Sequence, residues 1–433
     1  RFGFFPSIAA GWIVSEEEFM RPVQNYINKL KLRASYGLAG NDRFYNDDGS
    51  QKRFAYITTI GTTDGYKWGN SNAFYDKGGL REGDPGVESL TWETVKKANV
   101  GIELGLFKMA ELQVDFFHER REDIFMQRKN IPSSAGFPSA PWANYGIVTN
   151  KGFDISLDLN KQINKDWFIS ARASVTYAKN KIIEQDEDLG VLGTYRSSTG
   201  KPVGQIFGLV NDGLYTEADF EDVTTGKLKP GLPVPKFSDR VYPGDIKYVD
   251  FNGDGEITET DKTAIGGTVN PELVYGFGIN LSYKNIDFGA FFQGNGRTYR
   301  IIGENQKNFL PGSTIGAEGN IFTNASDAWT VDNPSQDVFY PRLHMGYNAN
   351  NAQVSDWWLK DMSMLRLKNV ELGYSFSKNL IKKAAMEYAR IFVRGTNLLQ
   401  FSKFDLWDPE LNTSNGLKYP IMATYSIGLQ VRF

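Results

Sequence analysis

Residues 250–261 read Asp-Phe-Asn-Gly-Asp-Gly-Glu-Ile-Thr-Glu-Thr-Asp. Oxygen-bearing side chains at the first, third, fifth and twelfth places, with glycine at the sixth, follow the spacing of a calcium loop of the EF-hand kind. Ca2+ takes about six to eight oxygens at roughly 2.3–2.6 Å. Asp250, Asn252 and Asp254 can supply side-chain oxygens, and Glu256 its backbone carbonyl. Gly255 permits the sharp turn that such a loop needs. Asp261 stands where a bidentate Glu is usual, and its shorter side chain weakens the site. No helical pattern flanks the segment, so it is not a whole EF-hand. The competing reading is a turn rich in Asn and Asp, because both residues close turns on their own backbone. Calcium here would stiffen a loop and take no part in catalysis.

Other chemistry is scarce. The chain has no cysteine and only two histidines, His118 and His344, so a zinc site of the usual kind is not expected. Gly200-Lys201 is followed by Pro202, where a phosphate loop needs Ser or Thr. No nucleophile-elbow pattern occurs. The acids Glu184, Asp186, Glu187 and Asp188 read as a solvated charged run. The expectation is therefore a protein that is not an enzyme. Trp142, Tyr145, Trp357 and Trp358 fall in stretches read as loops, where aromatic faces can stack on a sugar or simply pack the loops. The 48 basic and 51 acidic residues leave a net charge of −3, which gives no electrostatic case for nucleic acid.

The elements that must carry these groups announce themselves by a period of two. Phe153, Ile155, Leu157 and Leu159 alternate with Asp154, Ser156, Asp158 and Asn160. The same pattern runs from Trp167 to Tyr177, from Tyr275 to Tyr283, through Leu32–Leu38 and Val100–Leu106, and from Tyr425 to Phe433. Such alternation predicts strands with one apolar and one polar face. The 433 residues include 30 Phe, 21 Tyr, 9 Trp and 44 Gly, yet mean hydropathy is only −0.40. A helical membrane protein would show apolar runs of about 18 residues or more, and none is present. A membrane β-barrel hides its apolar residues at alternate positions and keeps a low mean.

Short breaks such as Lys284-Asn285 and 161–166 read as hairpin turns, whereas 40–90, 180–245 and 295–360 read as long loops with little regular structure. Short turns at one rim and long loops at the other suit an outer-membrane barrel. Aromatics bracket the apolar faces: Trp167 with Tyr177, and Tyr275 with Tyr283. Eight residues at about 3.3 Å, tilted by roughly 45°, rise about 19 Å, close to the ~25 Å apolar band of such barrels. Arg172, Asp154, Asp158, Arg390 and Arg394 fall on polar faces, where a wet lumen hydrates them. A soluble sandwich also alternates, so the pattern alone leaves both open.

Several segments in order carry a resemblance. They include Phe4-Phe5-Pro6-Ser7, the run Leu30 to Gly37, Leu90-Thr91-Trp92-Glu93-Thr94 and Asn150-Lys151-Gly152-Phe153. Further on come Pro243-Gly244-Asp245-Ile246-Lys247, the 250–255 segment, Leu365 to Asn369 and Asp408-Pro409-Glu410. Together they resemble the SusC/RagA family of TonB-dependent transporters of Bacteroides-like Gram-negative bacteria. The resemblance implies an all-β, antiparallel transmembrane β-barrel of the ~22-stranded kind, with long extracellular loops. Residues 1–433 would supply its later strands. A signal peptide, an N-terminal plug and the TonB-contacting segment are not recognisable here. It also implies outer-membrane import of oligosaccharides or oligopeptides, a SusD-like surface lipoprotein, the TonB complex acting through the missing N-terminal part, and outer-membrane lipid around the barrel. The alternative of another class is a soluble, secreted, calcium-containing β protein that binds or degrades carbohydrate.

Overall fold

The computed structural model describes residues 2–45, 49–70, 73–137, 139–303, 323–377, 380, 382 and 385–433. Its main element is one sheet of eleven strands. Numbered within this sheet alone, they are β1 (Ser7–Ile13), β2 (Ile27–Asn41), β3 (Glu93–Leu106), β4 (Ala110–Gln127), β5 (Trp142–Gln162), β6 (Trp167–Glu184), β7 (Leu273–Tyr283), β8 (Ile286–Gly296), β9 (Met364–Ser375), β10 (Tyr388–Ser402) and β11 (Thr424–Arg432). Their order in the sheet is their order in the chain. Every resolved ladder between them is antiparallel, including β1 on β2, β2 on β3 and each pair from β6 to β11. The chain divides into two compact units. One comprises Arg1–Lys108, Leu112–Ile155 and Ala178–Val203; the other comprises Met109–Glu111, Ser156–Tyr177 and Gly204–Phe433.

The connectors alternate in length as expected. Residues 107–109, 163–166 and 284–285 join neighbours at one rim. Residues 42–92, 185–272 and 297–363 join neighbours at the other. Lys284 takes a left-handed φ of 50°, which closes the β7–β8 turn in two residues. At the short-turn rim Trp167 and Tyr283 lie ring to ring, centroids 4.6 Å apart. That is where amphipathic aromatics settle at a membrane boundary.

The apolar strand faces are bare. Val100 is 56% exposed, Leu372 54% and Leu429 67%, and Ile155, Leu157 and Ile279 are not buried either. The buried clusters are drawn instead from connectors and strand ends. In the first unit Phe44, Ala55, Val87, Phe125 and Trp142 pack together. In the second, Leu209, Ile246, Ile257, Ile302, Trp329, Tyr340 and Trp358 lead a larger cluster. Among the described residues no second layer of sheet or helix buries these apolar faces.

The long loops correct the sequence reading. They are folded, with short ladders of their own: Ile60–Asn70 on Ala73–Glu82, Gln205–Gly208 on Thr263–Thr268, and Tyr299–Ile301 on Leu359–Asp361. Apolar residues scattered singly through polar stretches meet here from distant parts of the chain, and no local period reveals that. The segments 46–48, 71–72 and 304–322 of these loops lie outside the described residues.

Candidate functional site

The second unit carries an organised polar face on β5 to β10. Here Arg172 Nε donates to Asp158 Oδ1 at 2.5 Å, joining β6 to β5. Asn280 Nδ2 of β7 donates to Ser170 Oγ at 3.3 Å. Across β8 to β10, Arg390 Nε donates to Asp287 Oδ1 at 3.0 Å and Arg390 Nη2 to Glu371 Oε1 at 2.6 Å. Arg394 Nε holds the other oxygen of Glu371 at 2.6 Å. Both arginines lie against the Phe392 ring, at 5.1 and 5.4 Å. These side chains come together because period-two strands in this register put residues 158, 172, 280, 287, 371, 390 and 394 on one side of the sheet. A cavity of about 830 Å³ opens on this face, bounded by Asp158, Arg172, Asn280, Phe291, Glu371 and Arg394 among others.

Phe291 is out of phase with its strand. Ile286, Phe288, Ala290 and Phe292 hold the apolar side of β8, while Phe291 sits opposite Gly278 on the polar side. Its ring runs along the sheet over two glycines. A Cβ added at Gly278 would lie 3.1 Å from the ring edge, and one at Gly276 3.2 Å from its tip. Only residues without a side chain leave that resting place open. The ring remains 39% exposed.

The 250–261 loop is closed by its own hydrogen bonds. Asp250 accepts from the backbone N–H of Gly253 at 2.7 Å and Gly255 at 2.8 Å. Asn252 Oδ1 accepts from Asp254 N at 2.9 Å, and Asp254 Oδ1 from Glu256 N at 2.8 Å. Gly255, at φ 82°, supplies the left-handed turn between them. Burial acts to raise the Asp250 carboxyl, but the backbone donors outweigh it and hold the group below its ordinary range. Asp261 is wholly buried and accepts from the N–H groups of Phe251, Asn252 and Thr258. It thus ties the end of the loop to its start. The Glu256 carboxylate turns away to Lys236 Nζ at 2.9 Å. Among the described residues, no three His, Cys, Asp or Glu side chains converge as a metal cluster.

Of the four aromatic candidates, Trp357 and Trp358 pack inside a loop, whereas Trp142 and Tyr145 lie among the first residues of β5. Trp142 is buried, stacked on Phe125 at 5.2 Å, with Lys52 Nζ over its ring at 4.7 Å. Tyr145 lies within β5, not in a loop, and has the Arg128 guanidinium 4.4 Å over its ring. Trp357 Nε1 donates to Phe339 O at 3.1 Å, and buried Trp358 donates to Asn351 O at 2.8 Å. Their indole N–H groups found partners inside the loop cores, which is the usual fate of a buried Trp.

No family model matches the chain. Over its whole length it is similar to TonB-dependent receptor P26 of Formosa agariphila, 30% identical over 460 residues. It is also similar to TonB-dependent receptor SusC of Bacteroides thetaiotaomicron, 24% identical over 445 residues. The chain spans 42% and 40% of these relatives' lengths. In fold it is similar to the RagAB peptide importer in its open-open state, with a TM-score of 0.72 and 24% identity over 99% of this chain and 42% of that one. The chain is similar throughout to part of the SusC/RagA-type TonB-dependent receptors and shares their barrel fold. Among the described residues no helix is long and apolar enough to cross a membrane, a fact that does not bear on strands.

The ordered sequence segments that carry the resemblance acquire physical reasons in the structure. Asp245 of the Pro243–Lys247 segment is fully buried. It accepts from His344 at 2.5 Å, Asn351 at 2.8 Å, Asn348 at 3.2 Å and the Tyr242 backbone at 2.8 Å. Arg366 of the Leu365–Asn369 segment is also buried and reaches Asp408 at 2.5 Å and Glu410 at 2.9 Å, joining two distant motifs. The acids read as a solvated run are partly interior: Asp186 is 7% exposed and Glu187 6%. Asp186 accepts from Arg128, Lys129 N and Asn130, while Glu187 accepts from Ser197, Ser198 N and Thr199. These donors replace the water that such acids would otherwise demand. His118 lies inside β4.

Sequence reasoning missed the Arg366–Asp408 pair, the Asp245 hub and Phe291. Only Phe291 had a local signal, an aromatic in the wrong phase of an otherwise regular alternation.

Proposed function

We propose that this barrel belongs to an outer-membrane importer of oligosaccharides, energised through TonB and working with a SusD-like surface lipoprotein. The observation that carries the reading is the contrast between the two faces of the sheet. One is apolar and uncovered, as a lipid-facing wall requires; the other is a continuous array of paired charges and amides. Paired charges tolerate a wet lumen and offer fixed donors and acceptors to a passing polar solute. The folded loops at one rim give a partner lipoprotein an ordered surface. A soluble glycan-binding protein has no use for an uncovered apolar sheet face.

The test uses the full-length protein in its native cells. Deleting the gene, or disabling TonB, is expected to abolish uptake of fluorescent neutral oligosaccharides. Uptake of labelled oligopeptides alone would replace the sugar half of the proposal. Recovery of the protein only from periplasm or medium would remove the transporter reading.

Calcium is proposed as a further brace of the 250–261 loop, on the support of its oxygen-only donors and their spacing. Asp250, Asn252, Asp254 and the Glu256 carbonyl would hold it, with Asp261 closing the loop behind them. Ca2+ is expected to slow proteolysis within 250–261; equal cleavage with and without chelator would end this claim.

A further inference from the structure

We propose that a basic belt on the outward face of β3 to β6 binds the phosphate groups of lipid headgroups in the outer leaflet of the membrane. The inference rests on the reading of the sheet as a membrane wall, with its long loops outside the cell. Outward positions are apolar from Leu106 to Val100 on β3, from Leu112 to Phe116 on β4 and from Leu159 to Phe153 on β5. Within two outward steps toward the long loops the wall turns basic, with Lys96 on β3, Arg120 on β4 and Lys151 on β5. Lys179 and Lys181 do the same on β6. Lys96 lies ten residues from Leu106, and Lys179 twelve from Trp167. At about 3.3 Å per residue and roughly 45° of tilt these steps rise about 23–28 Å, the height at which the ~25 Å apolar band ends.

Neighbouring strands bring these side chains level. Phe116 and Phe153 meet across β4 and β5, ring centroids 6.4 Å apart, just below Arg120 and Lys151. Thr149 Oγ1 donates to Lys181 O at 3.4 Å, so Lys151 stands level with Lys179 across β5 and β6. One acid shares the belt. Glu122 holds Lys96 at 2.6 Å and Arg120 at 2.6 Å, so a single carboxylate stands against two cations. Lys151 and Lys181 are exposed on the next two strands and add to the excess. The belt faces away from the lumen, and β3 to β6 lie within the sheet, not at its ends. A lone lysine at this height would snorkel to water along the apolar wall. Like charges on adjacent strands repel, and an anion at headgroup level relieves them. Phosphate fits both kinds of cation, since ammonium groups meet it as point charges and a guanidinium as a fork. Elsewhere on the sheet the charges need no such partner, as Arg172 with Asp158 and Arg390 with Asp287 show.

The experiment places purified full-length protein in nanodiscs of neutral phospholipid and titrates in lipid A, a phosphorylated glycolipid of Gram-negative outer leaflets. Retained lipid is counted by mass spectrometry after exchange into neutral detergent. Lipid A is expected to be retained, less so at high salt, and its dephosphorylated form to be lost. Inorganic phosphate at the same concentration should not displace it. The double variant Lys151→Gln/Lys181→Gln is expected to bind about thirtyfold more weakly. Lys151→Arg/Lys181→Arg should retain the lipid. Lys161→Gln/Lys165→Gln, which removes two charges at the short-turn rim, should leave binding unchanged. If the glutamine pair fails to assemble, the salt dependence and the dephosphorylated lipid decide on the wild type. Equal retention in wild type and Lys151→Gln/Lys181→Gln overturns the proposal, as does equal retention of the dephosphorylated lipid or displacement by inorganic phosphate alone. A variant that loses self-association while holding lipid A normally also overturns it, and assigns the belt to a second copy of the chain. Wild-type protein that enters the nanodisc without retaining lipid A refutes the belt alone. Wild-type protein that never enters a bilayer refutes the membrane-wall reading itself.

Discussion

Two buried ionic residues set the sharpest expectations. Arg366 faces Asp408 and Glu410 with its side chain only 4% exposed. Arg366→Ala strands two partly buried carboxylates, a change that costs about 3–5 kcal/mol in comparable pairs. Lysine should not rescue it, because a point charge cannot serve both acids as a planar fork does. Thermal unfolding of the full-length protein, together with proteolysis of residues 403–423, would expose a neutral outcome and so sink the argument. Asp186 gives a pH prediction. Burial acts to raise its carboxyl, but Arg128, the backbone of Lys129 and Asn130, and the Asn130 side chain outweigh burial and hold the group well below the ordinary carboxylate range. A depressed folded pKa means that its stabilisation is complete above the unfolded value of about 3.9 and is lost as pH falls through the folded value. Hydrogen exchange in the segments 128–141 and 185–203 should therefore stay slow until pH is well below 4. In Asp186→Asn the acid-dependent part of that change should disappear.

At the scale of the strand, facing direction decides what a substitution does. Ile279 is 38% exposed and would count as a harmless surface site in a soluble protein. On a lipid-facing wall, Ile279→Arg should cost about 2–4 kcal/mol near mid-membrane. Asn280→Arg, one residue on and facing the polar side, should be tolerated. Heat-modifiability of both variants in outer-membrane preparations makes the comparison, and equal stability would count against lipid contact. This level was also the most readable in the sequence. The alternation through 153–160, 167–177 and 275–283 placed β5, β6 and β7, because a half-covered strand writes its environment into every second residue. The Lys284-Asn285 break placed its turn for the same reason. The loop cores were not readable: Leu209, Ile302, Trp329 and Trp358 share a cluster but no period. The 250–261 spacing was legible as a turn, yet the choice between backbone and metal as the partner of its oxygens depends on atoms that spacing does not fix. The aromatic candidates show the same limit, since Trp142 and Trp358 look alike in sequence whether they meet a ligand or a neighbour.

For the molecule as a whole, the sheet order has a physical cost. Among the described residues β1 and β11 stand at the ends of the eleven-stranded sheet, each laddered to a neighbour on one side. A strand flanked on one side only presents a row of amide and carbonyl groups outward. Water can hydrate such a row, but hydrocarbon cannot, and each orphaned group costs several kcal/mol there. The span of residues 1–433, about 42% of the length of its relatives, is therefore expected to need strands from elsewhere before it can sit stably in a bilayer. Refolded alone into detergent, it should form oligomers or precipitate, and a monodisperse, heat-modifiable monomer would contradict this. The wall described here is half of a bargain in hydrogen bonding: its flanks stay sticky until another β segment claims them, and folding in the cell must keep them from finding the wrong one.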